Sequence, residues 1–168
     1  MKPVNFIDST AVIGTNVTIW HFAVILADVC IESNCSIGSH VEIGRGSLIS
    51  HGTRIGKGTF LPTNSVVGEN VFIGPNVTFC DDKYPKANNP SYKALPPIIG
   101  NGASIGAGSV ILPGIQIGEH AVIGAGSIIT HNVLANSTVY GTPALERAIT
   151  SFLVSPDTVP LRQTSPTI

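Results

Sequence analysis

Aliphatic side chains recur every sixth residue along most of this chain. The series runs Ile7, Ile13, Ile19, Ile25, Ile31, Ile37, Ile43, Ile49, Ile55, Leu61, Val67, Ile73 and Phe79, and resumes at Ile99, Ile105, Ile111, Ile117, Ile123 and Ile129. Four residues after each lies a second, smaller position, such as Ala23, Val41, Thr53, Ser65, Val77, Ala103, Ser109 and Ala121. Six is an even number, so positions i and i+4 share one side of an extended chain. Neither the helical period nor a heptad fits that spacing. The i+1 position is often Gly and the i+3 position often Asn or Gly, residues that accept a positive φ with little strain. One short strand and one bend per hexad predict a polygonal coil, and three hexads close a triangle of about eighteen residues. About nineteen hexads therefore predict a prism of six to seven stacked coils, with one inward column of aliphatics per face and each coil stabilised by its neighbours.

This pattern resembles the hexapeptide-repeat acyltransferases over residues 7 to about 144. The resemblance implies an all-β fold, a left-handed parallel β-helix; the general rule for crossovers alone favours the right hand. Residues 1–144 then form the acyltransferase domain and 145–168 a C-terminal tail, with Ala144 to Ile149 reading as a short helix and the Pro- and Ser-containing remainder as a loose end.

Composition narrows the functional classes. Net charge is −1 and only 11% of residues are charged. No basic patch or polybasic run points to nucleic acid or to a membrane surface. No apolar stretch approaches a transmembrane span and the N-terminus lacks a signal-peptide core, which gives a cytoplasmic expectation. Cys35 falls on a core position; Cys30 and Cys80 have no paired spacing, as expected of a reducing compartment. The five histidines lie 11 or more residues apart, so the close pair that a zinc site of the γ-carbonic anhydrase kind needs is missing and no metal is expected. No P-loop or dinucleotide fingerprint precedes the repeat.

The register breaks once, between Phe79 and Ile99. The insert 80–98 holds three of the five lysines, two of the three tyrosines and four prolines. A loop of that length is usually functional, and its prolines stiffen it. It reads either as a surface excursion or as an arm that walls a pocket shared with a neighbouring subunit. Within it, Phe79 to Lys86 (Phe-Cys-Asp-Asp-Lys-Tyr-Pro-Lys) resembles the protruding loop of the nucleotide-linked amino-sugar N-acetyltransferases. Trp20-His21-Phe22, Ile73 to Thr78 and the closing Gly141-Thr142-Pro143-Ala144 are similar to that group too. Asp81 stands where Asn is common there, and Lys86 where Arg is common.

That resemblance implies acetyl transfer from acetyl-CoA to the amine of a nucleotide-linked sugar, by a homotrimer whose active sites need two prisms. His51, on a bend, is the candidate base, with an interface role as the alternative. Asp81 and Asp82 are the carboxylates that would orient the amine, or else cap turns. His21, Asn64, Lys83 and Tyr84 are the candidate acceptor contacts. Gly106, Ala107, Gly124 and Ala125 let a pantetheine approach the backbone, and Arg147 meets a phosphate of CoA. An O-acetyltransferase and a non-catalytic scaffold remain as the other readings.

Overall fold

The computed structural model describes residues 4–146. It is a parallel β-helix of about seven turns, consistent with the left hand that the resemblance implies, built entirely from strands of two residues until its last coil. Three sheets wrap the core. The first stacks Phe6–Ile7, Val24–Ile25, Glu42–Ile43, Phe60–Leu61, Thr78–Phe79, Val110–Ile111 and Ile128–Ile129. The second stacks Val12–Ile13, Cys30–Ile31, Leu48–Ile49, Val66–Val67, Ile98–Ile99 and Gln116–Ile117. The third begins at Thr18–Ile19 and ends in Thr138–Gly141 and Ala144–Glu146. Register advances eighteen residues per coil, as in Val12↔Cys30↔Leu48.

The second residue of each strand points inward. Ile25, Ile31, Ile37, Ile43, Ile49, Leu61, Ile73, Phe79 and Ile105 are all fully buried. Each such burial removes an aliphatic side chain from water, worth about 1.5–3 kcal/mol. The i+4 positions line the same core, and where they are hydroxylic they bond across to the next coil. Thr53 Oγ1 donates to the Gly68 carbonyl at 2.8 Å and accepts from the Val71 N–H at 3.1 Å. Corners turn in the left-handed region at the i+3 residue, for example Asn16, Asn34, Gly46, Gly58 and Asn76.

One feature departs from the sequence expectation. Ala144–Glu146, expected as the start of a helix, is a strand antiparallel to Thr138–Gly141, with Tyr140 opposite Leu145. The chain reverses at Gly141 to Pro143, and the hairpin takes up backbone groups that a helix would have satisfied internally. The rest of the expected helix and tail, with Arg147, lies outside the described residues. The insert costs the helix nothing in register. Ile98–Ile99 pairs directly on Val66–Val67, so the excursion ends at Pro97 and the next coil continues as if only a corner had intervened. The partner spacing there is 32 residues, fourteen more than the standard eighteen.

Candidate active site

The prism has three edges, one after each sheet, and the expected site residues are divided among them. The first edge carries Asn64 and the arm with Asp81, Asp82, Lys83 and Tyr84. The second carries His51. The third carries His21 and the pairs Gly106-Ala107 and Gly124-Ala125. A single chain brings together the arm residues but not His51 with them.

On the first edge the arm folds against later coils. Asp82 accepts from the Tyr84 N–H at 2.9 Å, which is the turn-capping geometry of an Asx turn. Asp81 accepts from the Tyr92 hydroxyl at 2.7 Å, and its carbonyl accepts from the Leu95 N–H at 2.9 Å. The bond to Asp81, with the negative charge of both carboxylates, pushes the Tyr92 phenol above its ordinary range. Lys83 Nζ lies 5.7 Å from the centroid of the Tyr84 ring. Between the arm and the coils opens a cleft of about 580 Å³, walled by Tyr84, Pro85, Leu112, Pro113 and Ile115, with Asp82, Lys83, Thr130 and the Cys80 thiol as its polar groups. Burial, with Asp81 alongside, raises the Cys80 thiol and keeps it protonated. Asn64 lies on the coil before the arm, where its positive φ of 59° forms the corner.

On the second edge His51 is exposed. Its ring Nδ1 lies 3.1 Å from Ser33 Oγ, and its backbone N–H donates to Glu32 Oε2 at 2.8 Å. Ser33 stands eighteen residues earlier, one coil below, so the eighteen-residue period would have pointed to it. In the tautomer whose Nδ1–H donates to Ser33, Nε2 is the nitrogen left to accept a proton.

The third edge changes character along its length. Its early corners carry His21-Phe22 and Ser39-His40, and its late ones Ala107-Gly108 and Ala125-Gly126. Gly108 and Gly126 both have a φ of +68°, and nothing within 4 Å of where a Cβ would stand. They, rather than Gly106 and Gly124, leave the backbone bare. A Cβ on Gly106 would collide with the backbone nitrogen of Ala125, and one on Gly124 would stand 2.6 Å from Tyr140 Cβ. Those two glycines are explained by packing alone. The i+3 repeat position, read only as a bend, carried the signal for the other two.

The repeat matches the family model described as Bacterial transferase hexapeptide (six repeats), over residues 10–45 and 96–131. The chain therefore carries the hexapeptide repeat that this family model describes. No curated protein matches it in sequence. Among solved structures it resembles PerB from Caulobacter crescentus, in complex with CoA and GDP-perosamine, at 23% identity over 87% of this chain and 58% of that one, with a TM-score of 0.36. A hexapeptide transferase family protein from Anaplasma phagocytophilum is 24% identical over 88% of this chain and 80% of that one, at a TM-score of 0.50. The acetyltransferase domain of PglB from Neisseria gonorrhoeae, in complex with acetyl coenzyme A, is 19% identical over 85% of this chain and 57% of that one, at 0.52. This hexapeptide chain thus spans little more than half the length of the first and third of these. Among the described residues no group of three His, Cys, Asp or Glu side chains could hold a metal ion, and no helix is long and apolar enough to cross a membrane.

Proposed function

We propose that this hexapeptide protein transfers an acetyl group from acetyl-CoA to the amine of a nucleotide-linked amino sugar. The observation that carries the reading is the pairing of two built features: a bare-backbone track on the third edge, and a 580 Å³ cleft under the arm on the first. The track suits a pantetheine, which needs close approach and hydrogen bonds to backbone more than side-chain contacts. The cleft has the apolar walls and few polar groups of a small-molecule site. Acetyl coenzyme A is bound by the Neisseria domain of similar fold, and the same co-substrate is proposed here.

In the proposed reaction the amine nitrogen attacks the thioester carbonyl, a C–N bond forms, and the C–S bond breaks as the thiolate leaves. His51 Nε2 takes the proton from nitrogen, while Ser33 holds the tautomer and ring orientation through Nδ1. Asp82, at the cleft, orients the attacking amine and offsets its developing positive charge. Lys83 and Tyr84 line the cleft around the acceptor's sugar. His21, Asn64 and Asp81 complete the acceptor side, and Ala107, Gly108, Ala125 and Gly126 lie along the pantetheine.

His51 and the arm occupy different edges, so the proposal requires a second copy. The outer side of the second sheet lies between those two edges. It presents Val12, Cys30, Leu48, Val66 and Ile98 as an apolar column that ends at Gln116, with Val12 63% and Ile98 46% exposed. This apolar face is where a second copy would pack.

Calorimetry with acetyl-CoA, alone and with a panel of nucleotide-linked 3-amino and 4-amino sugars, tests the reading. Tight CoA binding that strengthens with one sugar, and release of CoA thiol only in its presence, is the expected result. A folded protein that binds no CoA would make the scaffold the better account. His51→Ala should lower turnover roughly 10²–10⁴-fold with an amine acceptor. Turnover with a sugar lacking the amine would instead favour O-acetyl transfer.

A further inference from the structure

Phe22 breaks a rule that every other described corner obeys. Among the described residues, the left-handed positions are held by Gly, Asn, Asp or His, and Phe22 is the single apolar exception, at φ 64°. A bulky side chain in that region costs about 1–2 kcal/mol. Burial does not repay it, because Phe22 is 55% exposed and Trp20 beside it 54%. The ring is instead held flat by a neighbour: Phe22 and His40, one coil apart, stack at 5.1 Å between centroids and 21° between planes. His21 adds a tilted ring at 6.2 Å from Phe22. The result is an exposed patch of rings on the same edge as the bare-backbone track. Exposed Lys57 lies on the next coil toward that track, and exposed Arg54 on the adjoining strand.

We propose that Trp20, Phe22 and His40 form a stacking platform for the base of a nucleoside diphosphate whose phosphates lie toward Lys57. Strain kept at a solvent-facing position is the mark of a functional constraint, and a π-face stacks on any base without sequence selectivity. Three coils, roughly 14 Å at the usual strand spacing, separate the levels of His40 and Gly108, a span that a nucleotide's phosphates can bridge. The base can belong to a nucleotide-linked acceptor or to CoA itself. The inference rests on the proposed function in taking nucleotides as ligands.

Trp20 is the only tryptophan in the chain, so its fluorescence reports on this patch directly. The experiment titrates the full-length protein with ADP, UDP, dTDP and GDP, with CoA, and with pantetheine as a control lacking a base. Each is repeated on Phe22→Asn, which removes the ring but suits the left-handed backbone. The expected result is quenching of Trp20 by base-bearing ligands, binding about tenfold weaker in Phe22→Asn, pantetheine binding unchanged, and a Tm equal to or above that of the parent. Loss confined to CoA assigns the base to its adenine; loss confined to a nucleotide assigns it to the acceptor. Equal nucleotide affinity in parent and variant overturns the platform while CoA binding leaves the acetyltransferase reading intact. A lower Tm, or a changed sedimentation mass, in Phe22→Asn also overturns it, by showing that the ring serves packing. Failure of CoA and every nucleotide to bind the parent overturns both.

Discussion

Two glycines that flank Ala107, Gly106 and Gly108, separate what the fold needs from what a ligand needs. A methyl group on Gly106 runs into the backbone of the next coil, and backbone cannot step aside as a flexible side chain can. Gly106→Ala is therefore expected to destabilise by about 3 kcal/mol or more, read as a fall in the denaturant midpoint. Gly108 has open space around its missing Cβ and a φ of +68°, so Gly108→Ala carries only the left-handed penalty of about 1 kcal/mol. Its methyl would stand in the proposed pantetheine track, and CoA affinity measured by calorimetry should fall further than stability does. Equal CoA affinity in parent and Gly108→Ala would remove the track from the argument. Repeat position alone did not distinguish these residues. Gly at i+1 and Gly at i+3 look alike in sequence, and only the stacking of coils shows that one faces a neighbour and the other faces solvent.

The arm is an element held by a few polar ties rather than by a core of its own. One of these ties joins the Tyr92 hydroxyl to Asp81, and Tyr92 is pushed above its ordinary range first by that bond and then by burial and the charges of Asp81 and Asp82. A group whose folded pKa is raised contributes stability that is complete below its unfolded value, near 10, and lost as pH rises through the folded value. The arm should thus loosen above about pH 10, when the phenolate loses its donor and meets two carboxylates. Ultraviolet titration should show one of the three tyrosines ionising late, and Tyr92→Phe should remove that late step and expose the arm to proteolysis at neutral pH. A late step that persists in Tyr92→Phe would contradict this. The arm's existence was legible, since the hexad register stops at Phe79 and the composition changes there. Its internal ties were not. Tyr92 and Asp81 lie eleven residues apart in a segment without periodicity, and no pattern says which way such a loop folds back. The base candidate shows the opposite case: Ser33 and His51 are one coil apart, and a reader counting eighteens could have paired them.

At the scale of the molecule, a β-helix behaves as a one-dimensional stack in which each coil answers mainly to its neighbours. That is why the fold was legible almost throughout: every hexad repeats the same inward aliphatic and the same corner, so the period alone sets sheet, register and core. It is also why the end was misjudged, because Ala144–Glu146 belongs to the capping hairpin, where the period no longer applies. The same logic makes the arm separable. Ile98–Ile99 seats on Val66–Val67 although the register gains fourteen residues there, and Pro97 is buried at the usual i+4 place. Replacing residues 81–96 with Pro-Asn, copied from the corner at Pro75-Asn76, restores a normal hexad between Phe79 and Ile99 with a net loss of fourteen residues. The shortened chain is expected to keep its β-sheet circular dichroism and to lose little or nothing in Tm, since loop-closure entropy favours the shorter connection and the core columns are untouched. It should still bind CoA on the third edge, and it should lose acetyl transfer, because the cleft formed by Tyr84, Pro85 and the later coils is gone. A chain that no longer folds would show the arm to be part of the stack, and one that still transfers acetyl groups would place the acceptor site elsewhere.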